Sequence, residues 1–353
     1  MSTAPQPISF TDNAAQCLSA ILREADCDKV FILVDETTQR LCLGRLEGCQ
    51  ELSGAKVIAI GASDACKNVE SLASVWQALG EGGGSRRSLL VNVGGGMVTD
   101  LGGFAASTFK RGIRFVNVPT TLLAMTDASV GGKTGINFNG LKNEVGVFSN
   151  ALHVVIDTNF LATLDDSNIR SGYAEMLKHG LISNVADWAE LLNFDLASPD
   201  LAQLSEILKK NILVKERIVL QDPHERGLRK ALNVGHTVGH AFESFALAEG
   251  RPVLHGYAVA WGMVCELYLS VVKAGFPKDK MRQTVEFIRH NYGTLEFGCN
   301  DYERLYALMK HDKKNTRGFI NFTLLGEIGD IRLDQTASHD EIFEALDFFR
   351  EQF

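Results

Sequence analysis

Residues 88–100, SLLVNVGGGMVTD, pass from an apolar run through three glycines into a segment of helical pattern. Ser88–Val93 has the length and β-branched content of a strand buried on both faces. Gly94, Gly95 and Gly96 follow at once, and Asp100 stands at the start of a predicted helix, Asp100–Phe109. Glycines let backbone come close to a ligand, and a helix N-terminus offers unpaired N–H groups to a pyrophosphate. The spacing is not GxGxxG, so a plain strand–helix turn explains it equally well.

Outward from this stretch the same rhythm continues. Lys29–Val34, Lys56–Ile60, Phe115–Val118 and His153–Ile156 read as further parallel strands, and Ser71–Leu79 as a second helix. Alternation of this kind predicts an α/β fold with a doubly wound parallel sheet and ligands at the C-terminal strand ends. From about Leu164 the texture changes to long helical patterns: Ile169–Ile182, Leu201–Leu220, Leu232–Leu247, Ala258–Val272 and Lys280–His290, with one late strand at Phe319–Leu325. The 353 residues suit about two domains. We expect an N-terminal parallel-sheet domain over residues 1–163 and an all-helical C-terminal domain over 164–353, with the active site in the cleft between them.

Lys plus Arg number 35 against 43 Asp plus Glu, a formal net charge of −8. That balance argues against non-specific nucleic-acid binding, which needs a basic field, but leaves room for a small anionic substrate held by a local basic cluster. The seven cysteines form no CxxC pair and read as free thiols of a reducing compartment. The first residues lack a basic n-region and an apolar h-region, and no stretch of 18 apolar residues runs without interruption. The expectation is a cytoplasmic protein with neither a membrane nor a nucleic-acid partner.

Between Val118 and Asn143 lie Thr120, Thr121, Asp127, Gly131, Gly132, Lys133, Thr134, Gly135 and Lys142. Lysines for charge, with backbone N–H and hydroxyls for geometry, suit anion capture; a structural glycine-rich loop is the alternative. Gly131-Gly132-Lys133-Thr134 mimics the end of a phosphate-binding P-loop, but Asp127 occupies the position of its first glycine, which excludes the match.

The C-terminal half carries a sharper signal. If residues 229–243 form one helix, Arg229, Asn233, His236, His240 and Glu243 fall within about 80° of one another, which is not core-packing material. His236 and His240 have i, i+4 metal-ligand spacing, without the glutamate of HExxH. Glu175 with two of His236, His240 and His255 would leave an open position on Zn²⁺, the catalytic pattern. Spacing alone does not choose the two, and His179, one turn after Glu175, is a further candidate. Lys215 falls inside the apolar stripe of its helix, where it either snorkels or points into a site. His311-Asp312-Lys313-Lys314 reads by itself as a solvated charge patch.

Together these motifs resemble the 3-dehydroquinate synthase family of sugar phosphate cyclases, from Asp35 to about Gly329. The resemblance implies a Rossmann-like domain holding NAD, a helical domain holding Zn²⁺ or Co²⁺, and a homodimer. It implies Glu175, His236 and His255 as metal ligands and His240 in substrate binding and proton transfer. Arg111, Asp127, Lys133, Asn143, Lys178, Lys215, Arg229, Asn233 and Lys313 would bind substrate, with Arg111 reaching a neighbouring subunit. Lys133 and Lys178 would also share in catalysis, and Glu225 matches a proposed proton acceptor. Asp35, Lys67, Gly94, Gly95, Gly96, Asp100, Thr120, Thr121, Lys142, Phe160 and Thr163 would line NAD.

The implied reaction converts 3-deoxy-D-arabino-heptulosonate 7-phosphate to 3-dehydroquinate and phosphate in the shikimate pathway, with NAD regenerated in each turnover. Two positions depart from the family pattern: Tyr257 stands where many relatives have Glu, and Asp64 where Glu is usual. Other readings are a cyclase of the inosose or valiolone type and a metal-dependent polyol dehydrogenase. The second needs no phosphate-binding lysines, so Lys133, Lys178 and Lys215 argue against it. A non-enzymatic scaffold has no reason to keep so many ionisable groups on inward helix faces.

Overall fold

Apolar β-branched runs make the centre of a parallel sheet in the first half of the chain. The computed structural model describes residues 6–139, 141–310 and 320–352, and internal contacts divide the chain into residues 1–165 and 166–353. The strands of the first unit are β1 (Ile8–Thr11), β2 (Val30–Asp35), β3 (Lys56–Ile60), β4 (Leu89–Gly94), β5 (Arg114–Pro119), β6 (Lys133–Phe138), β7 (Leu141–Phe148) and β8 (His153–Asp157). Its helices are α1 (Ala14–Glu24), α2 (Glu36–Leu41), α3 (Val69–Glu81) and α4 (Gly96–Thr108).

Six strands form one sheet in the order β1-β8-β5-β4-β2-β3, and every pairing in it is parallel. The chain passes from β2 outward to β3 and returns to β4 on the other side of β2. That reversal opens a crevice at the carboxyl ends of β2 and β4, where such sheets bind ligands. Asp35 ends β2 and Gly94 ends β4, so the quoted stretch runs straight into this position.

Two parts of the first unit depart from the sequence reading. The edge strand β1 is only half-buried and four residues long, too short to show a pattern. The glycine-rich stretch is not an open loop. Ala124–Ala128 is a single π-helical turn, Gly131 and Gly132 make a left-handed bend at φ 99° and 69°, and from Lys133 the chain forms the antiparallel hairpin β6–β7. Gly135 and Gly146 face each other across it, where a Cβ at Gly135 would lie 2.7 Å from the Val145 carbonyl oxygen. Those glycines therefore serve strand pairing.

The second unit comprises α5 (Asp166–Ser183), α6 (Val185–Leu192), α7 (Leu201–Gln221), α8 (His236–Ala248), α9 (His255–Ala274), α10 (Lys278–Tyr292), α11 (Tyr302–Lys310) and α12 (His339–Gln352). It also carries an antiparallel hairpin, β9 (Asn321–Glu327) with β10 (Asp330–Thr336), so it is mostly rather than wholly helical. Thr237 and Thr323 hydroxyls donate to the Asn321 and Lys230 carbonyls at 3.0 and 2.9 Å, bracing this hairpin against the start of α8.

Residues 229–243 are not one helix. Leu228–Asn233 is a 3₁₀ segment, Val234 is extended, and Gly235 turns left-handed at φ 80° before α8 begins. The single stripe drawn through Arg229 and Asn233 is corrected accordingly; only His236, His240 and Glu243 share a face of α8.

Glycines set how closely the helices pack. A Cβ at Gly262 of α9 would overlap the Gly235 carbonyl oxygen and lie 2.6 Å from the Gly239 nitrogen of α8. One at Gly256 would overlap the Ser171 carbonyl oxygen of α5. Backbone-to-backbone contact thus draws α5, α8 and α9 together. α9 is long and apolar enough to cross a membrane by composition, but most of it is buried within this unit, as befits a core helix.

Candidate active site

In the first unit the chemistry gathers at the carboxyl ends of the strands. Asp35 Oδ1 accepts the Thr37 and Thr38 N–H groups, both at 2.8 Å, and so caps α2 beside the crevice. Gly95 caps α4 without a side chain, leaving first-turn N–H groups of the kind that hold a pyrophosphate. Gly94 is required for another reason, since its Cβ would lie 2.5 Å from Val98. Thr120 is buried and Thr121 half-buried after β5.

Lys67 is buried with its ammonium 2.5 Å from Asp100 Oδ2 and donating also to Asn143 Oδ1. Three residues singled out in sequence, two for cofactor and one for substrate, are therefore one polar cluster. Lys142 pairs with Asp64 at 3.1 Å, and Asn137 donates to the same carboxylate at 3.3 Å. Asp64, a departure from the family pattern, is thus tied to the β6–β7 hairpin. Lys133 is exposed on β6, and Asp127 is half-buried in the π turn. Thr163 donates to the Phe160 carbonyl at 2.7 Å, and the Phe160 ring is fully buried.

Backbone strain marks several of these positions. Arg111, Asn143 and Glu225 sit at φ 68°, 51° and 56°, a left-handed region that costs a non-glycine residue about 1–2 kcal/mol. Such strain collects at functional sites.

In the second unit, α5 carries Glu175 and Lys178, both fully buried and joined as an ion pair. Burial alone would raise the Glu175 pKa. The Lys178 ammonium and the His236 imidazole outweigh it and hold the carboxyl well below its usual range. Its Oε2 accepts from Lys178. Among the described residues its Oε1 is buried without a hydrogen-bond partner, yet lies 3.4 Å from His236 Nε2 and 3.5 Å from His255 Nε2. Ligands about 2.0–2.1 Å from a tetrahedral Zn²⁺ stand about 3.3–3.4 Å apart, and the two separations from Glu175 Oε1 match that spacing. An orphaned carboxylate oxygen facing two imidazoles fits a divalent cation by its chemistry as well.

Each imidazole is oriented from behind. His236 Nδ1 donates to the Val234 carbonyl at 3.1 Å, and His255 Nδ1 donates to Glu243 Oε2 at 3.2 Å, which turns each Nε2 toward Glu175. Burial opposes charge on His255, but Glu243 and then Glu175 raise its pKa to about 10. A cation taken up at Nε2 would displace that proton. The donor atoms of His236, His240 and His255 lie within 4.8 Å of one another, so His240 stands beside the set. His179 Nδ1 instead pairs with Asn211 Oδ1 at 2.7 Å.

Lys215 is buried on α7, as its place in the apolar stripe predicts. Glu225 Oε1 accepts from Asn233 at 3.0 Å, which joins the proton-acceptor and substrate candidates. Arg229 is buried and donates to the Pro223 carbonyl at 2.7 Å. Lys313 lies outside the described residues.

Family models match along most of the chain: the 3-dehydroquinate synthase N-terminal model over residues 57–171 and the C-terminal model over 172–315. A protein of Parabacteroides distasonis named 3-dehydroquinate synthase is 53% identical over 336 residues, 95% of each chain. The chain belongs to the 3-dehydroquinate synthase family. A family member from Rhodopirellula baltica is 37% identical over 91% of this chain and 86% of its own. Among solved structures, a 2-epi-5-epi-valiolone synthase from Streptomyces hygroscopicus with NAD⁺ and Zn²⁺ bound superposes with a TM-score of 0.87 at 24% identity, covering 100% of this chain and 99% of that one. A 2-deoxy-scyllo-inosose synthase with NAD⁺, Co²⁺ and carbaglucose-6-phosphate gives 0.84 at 22%, covering 98% and 96%. At those identities the likeness concerns the fold.

Within the family frame, Tyr257 packs among aromatic rings. Its ring packs 5.2 Å from Tyr292 and 6.1 Å from Trp261, while Glu243 provides the carboxylate behind His255. Glu243 was visible only as part of a helical stripe, and its partner His255 is on another helix, so spacing could not assign it. Replacing Glu243 with glutamine is expected to weaken metal binding about 10–100-fold in a chelator competition. Wild-type affinity would mean the contact does not orient His255.

Proposed function

We propose that this chain is a 3-dehydroquinate synthase that converts 3-deoxy-D-arabino-heptulosonate 7-phosphate to 3-dehydroquinate and phosphate. The sequence runs through transient oxidation, phosphate elimination, re-reduction, ring opening and intramolecular aldol closure. The single observation that carries this reading is the buried Glu175 Oε1 facing His236 and His255 in a chain 53% identical to a protein of that name.

Glu175, His236 and His255 would hold Zn²⁺ or Co²⁺, and Asp35, Lys67, Gly94–Gly96, Asp100, Thr120, Thr121, Lys142, Phe160 and Thr163 would line NAD. Bound, the two supply a Lewis acid that acidifies a substrate hydroxyl and a carrier that takes and returns a hydride. The protein's own groups do the rest. Lys178 keeps Glu175 ionised, and Glu243 and the Val234 carbonyl aim the imidazoles. Arg111, Asp127, Lys133 and Asn143 from the first unit, with Lys178, Lys215, Arg229, Asn233, His240 and Lys313 from the second, would bind the phosphate, carboxylate and hydroxyls. His240 and Glu225 would move protons; Glu225 is already placed against Asn233 at 3.0 Å.

The carboxylate separates this substrate from those of the inosose and valiolone synthases. We expect kcat/KM for the carboxylated seven-carbon phosphate to exceed that for sedoheptulose 7-phosphate and for glucose 6-phosphate. The reverse order would move the chain to another cyclase subtype.

A cytoplasmic homodimer completes the proposal. The seven cysteines are free thiols, which suits a reducing compartment. On β6–β7, Phe138, Leu141, Val145, Val147 and Phe148 are exposed together, an apolar ribbon of the kind an interface covers. Light scattering should give twice the chain mass, and Val145→Glu with Val147→Glu should halve it. A wild-type monomer contradicts the dimer.

A further inference from the structure

α8 begins at a glycine and has no side chain of its own to cap it. The first N–H groups of a helix lack intrahelical partners and need acceptors when buried. Here they find one on another helix. Glu266, on α9 and 1% exposed, accepts the Gly235 N–H on Oε2 at 2.7 Å and the Val238 N–H on Oε1 at 3.1 Å. One carboxylate thereby takes two backbone donors on either side of His236 and sits at the positive end of the α8 dipole.

The placement on α9 matters as much. His255 and Glu266 are eleven residues apart, about 20° from eclipse after three turns, so both lie on the α9 face that meets α8. Gly262, one turn before Glu266, is where the α9 backbone abuts Gly235 and Gly239. A single helix therefore supplies one imidazole of the metal set at its first residue and grips the backbone that carries the other. The His236 and His255 ring centroids stand 5.5 Å apart, and the chain from Gly235 to Val238 cannot shift along α9 without breaking a Glu266 bond.

We infer that Glu266 is a positioning residue that sets the separation of His236 and His255 and thereby the affinity for the divalent cation. The inference rests on the reading of Glu175, His236 and His255 as ligands. It assigns no chemistry to Glu266.

The test is Zn²⁺ affinity of the full chain, measured by competition with a chromophoric chelator, together with the Co²⁺ visible spectrum and thermal unfolding. In Glu266→Gln one oxygen becomes an NH₂ facing a backbone N–H, and Zn²⁺ affinity is expected to fall about 10–100-fold, with an altered Co²⁺ spectrum and NAD binding unchanged. Glu266→Asp, which keeps the charge but withdraws it by one methylene, should weaken binding in the same direction and serves if the glutamine variant does not fold. Wild-type Zn²⁺ affinity and Co²⁺ spectrum in a folded variant of either kind overturn the proposal. His236→Ala separates the two levels. If it too binds Zn²⁺ like the wild type, the ligand assignment fails; if it loses Zn²⁺ while both Glu266 variants keep it, only the positioning role fails.

Discussion

Glu175→Gln protein is expected to release phosphate at least about 10³-fold more slowly than wild type and to lose stoichiometric metal. Altering a group behind a metal ligand costs about 10–100-fold, and removing the ligand's charge must cost more; 10³ corresponds to about 4 kcal/mol in the barrier. A second effect accompanies it. Lys178 is buried against Glu175, so glutamine removes a counter-charge from a buried ammonium, and breaking such a pair costs about 3–5 kcal/mol of stability. Denaturant unfolding of Glu175→Gln beside the double variant Glu175→Gln/Lys178→Met separates the two. The double variant should regain stability but not metal or activity. Near-wild-type turnover in either would remove Glu175 from the site.

Gly262→Ala is the second large effect, and its sign opposes helix propensity. In an exposed helix alanine is preferred to glycine by about 1 kcal/mol. At Gly262 the added Cβ would overlap the Gly235 carbonyl oxygen and crowd the Gly239 nitrogen. Backbone cannot move aside as a side-chain tip can, so α8 and α9 must separate. Overpacking of this kind costs about 1–3 kcal/mol, occasionally more, and each kcal/mol lowers Tm by about 2–4 °C in a domain of this size. Because His236 begins α8 and His255 begins α9, Zn²⁺ affinity should fall together with Tm. A more stable variant with unchanged affinity would show that the close approach is not required.

Much of this was legible along the chain. Strands β2, β3, β4, β5 and β8 were apolar runs of strand length, and Lys215 announced its burial by falling in an apolar stripe. Glu175, His236, His240 and His255 were recognisable as a cluster, though only the family resemblance chose among the histidines. In the fold, Glu175 Oε1 lies 3.4 Å from His236 Nε2 and 3.5 Å from His255 Nε2, and the donor atoms of all three histidines lie within 4.8 Å of one another.

What stayed hidden has physical causes. β6 and β7 mix glycine, lysine and asparagine with apolar residues, and β7 is exposed throughout, so they read as loop. The break at Val234–Gly235 lay inside a helical pattern, because one left-handed glycine ends a helix without disturbing the periodicity around it. Glu266 drew no notice in the sequence, because its partners include two backbone N–H groups, which no side-chain pattern records.

The most direct test of the account follows phosphate release from 3-deoxy-D-arabino-heptulosonate 7-phosphate by metal-replete protein with catalytic NAD⁺, while NADH absorbance is recorded. One phosphate per substrate with no net NADH is the expected result, lost on metal chelation and restored by Zn²⁺ or Co²⁺. Net NADH without phosphate would contradict it and make the chain a dehydrogenase.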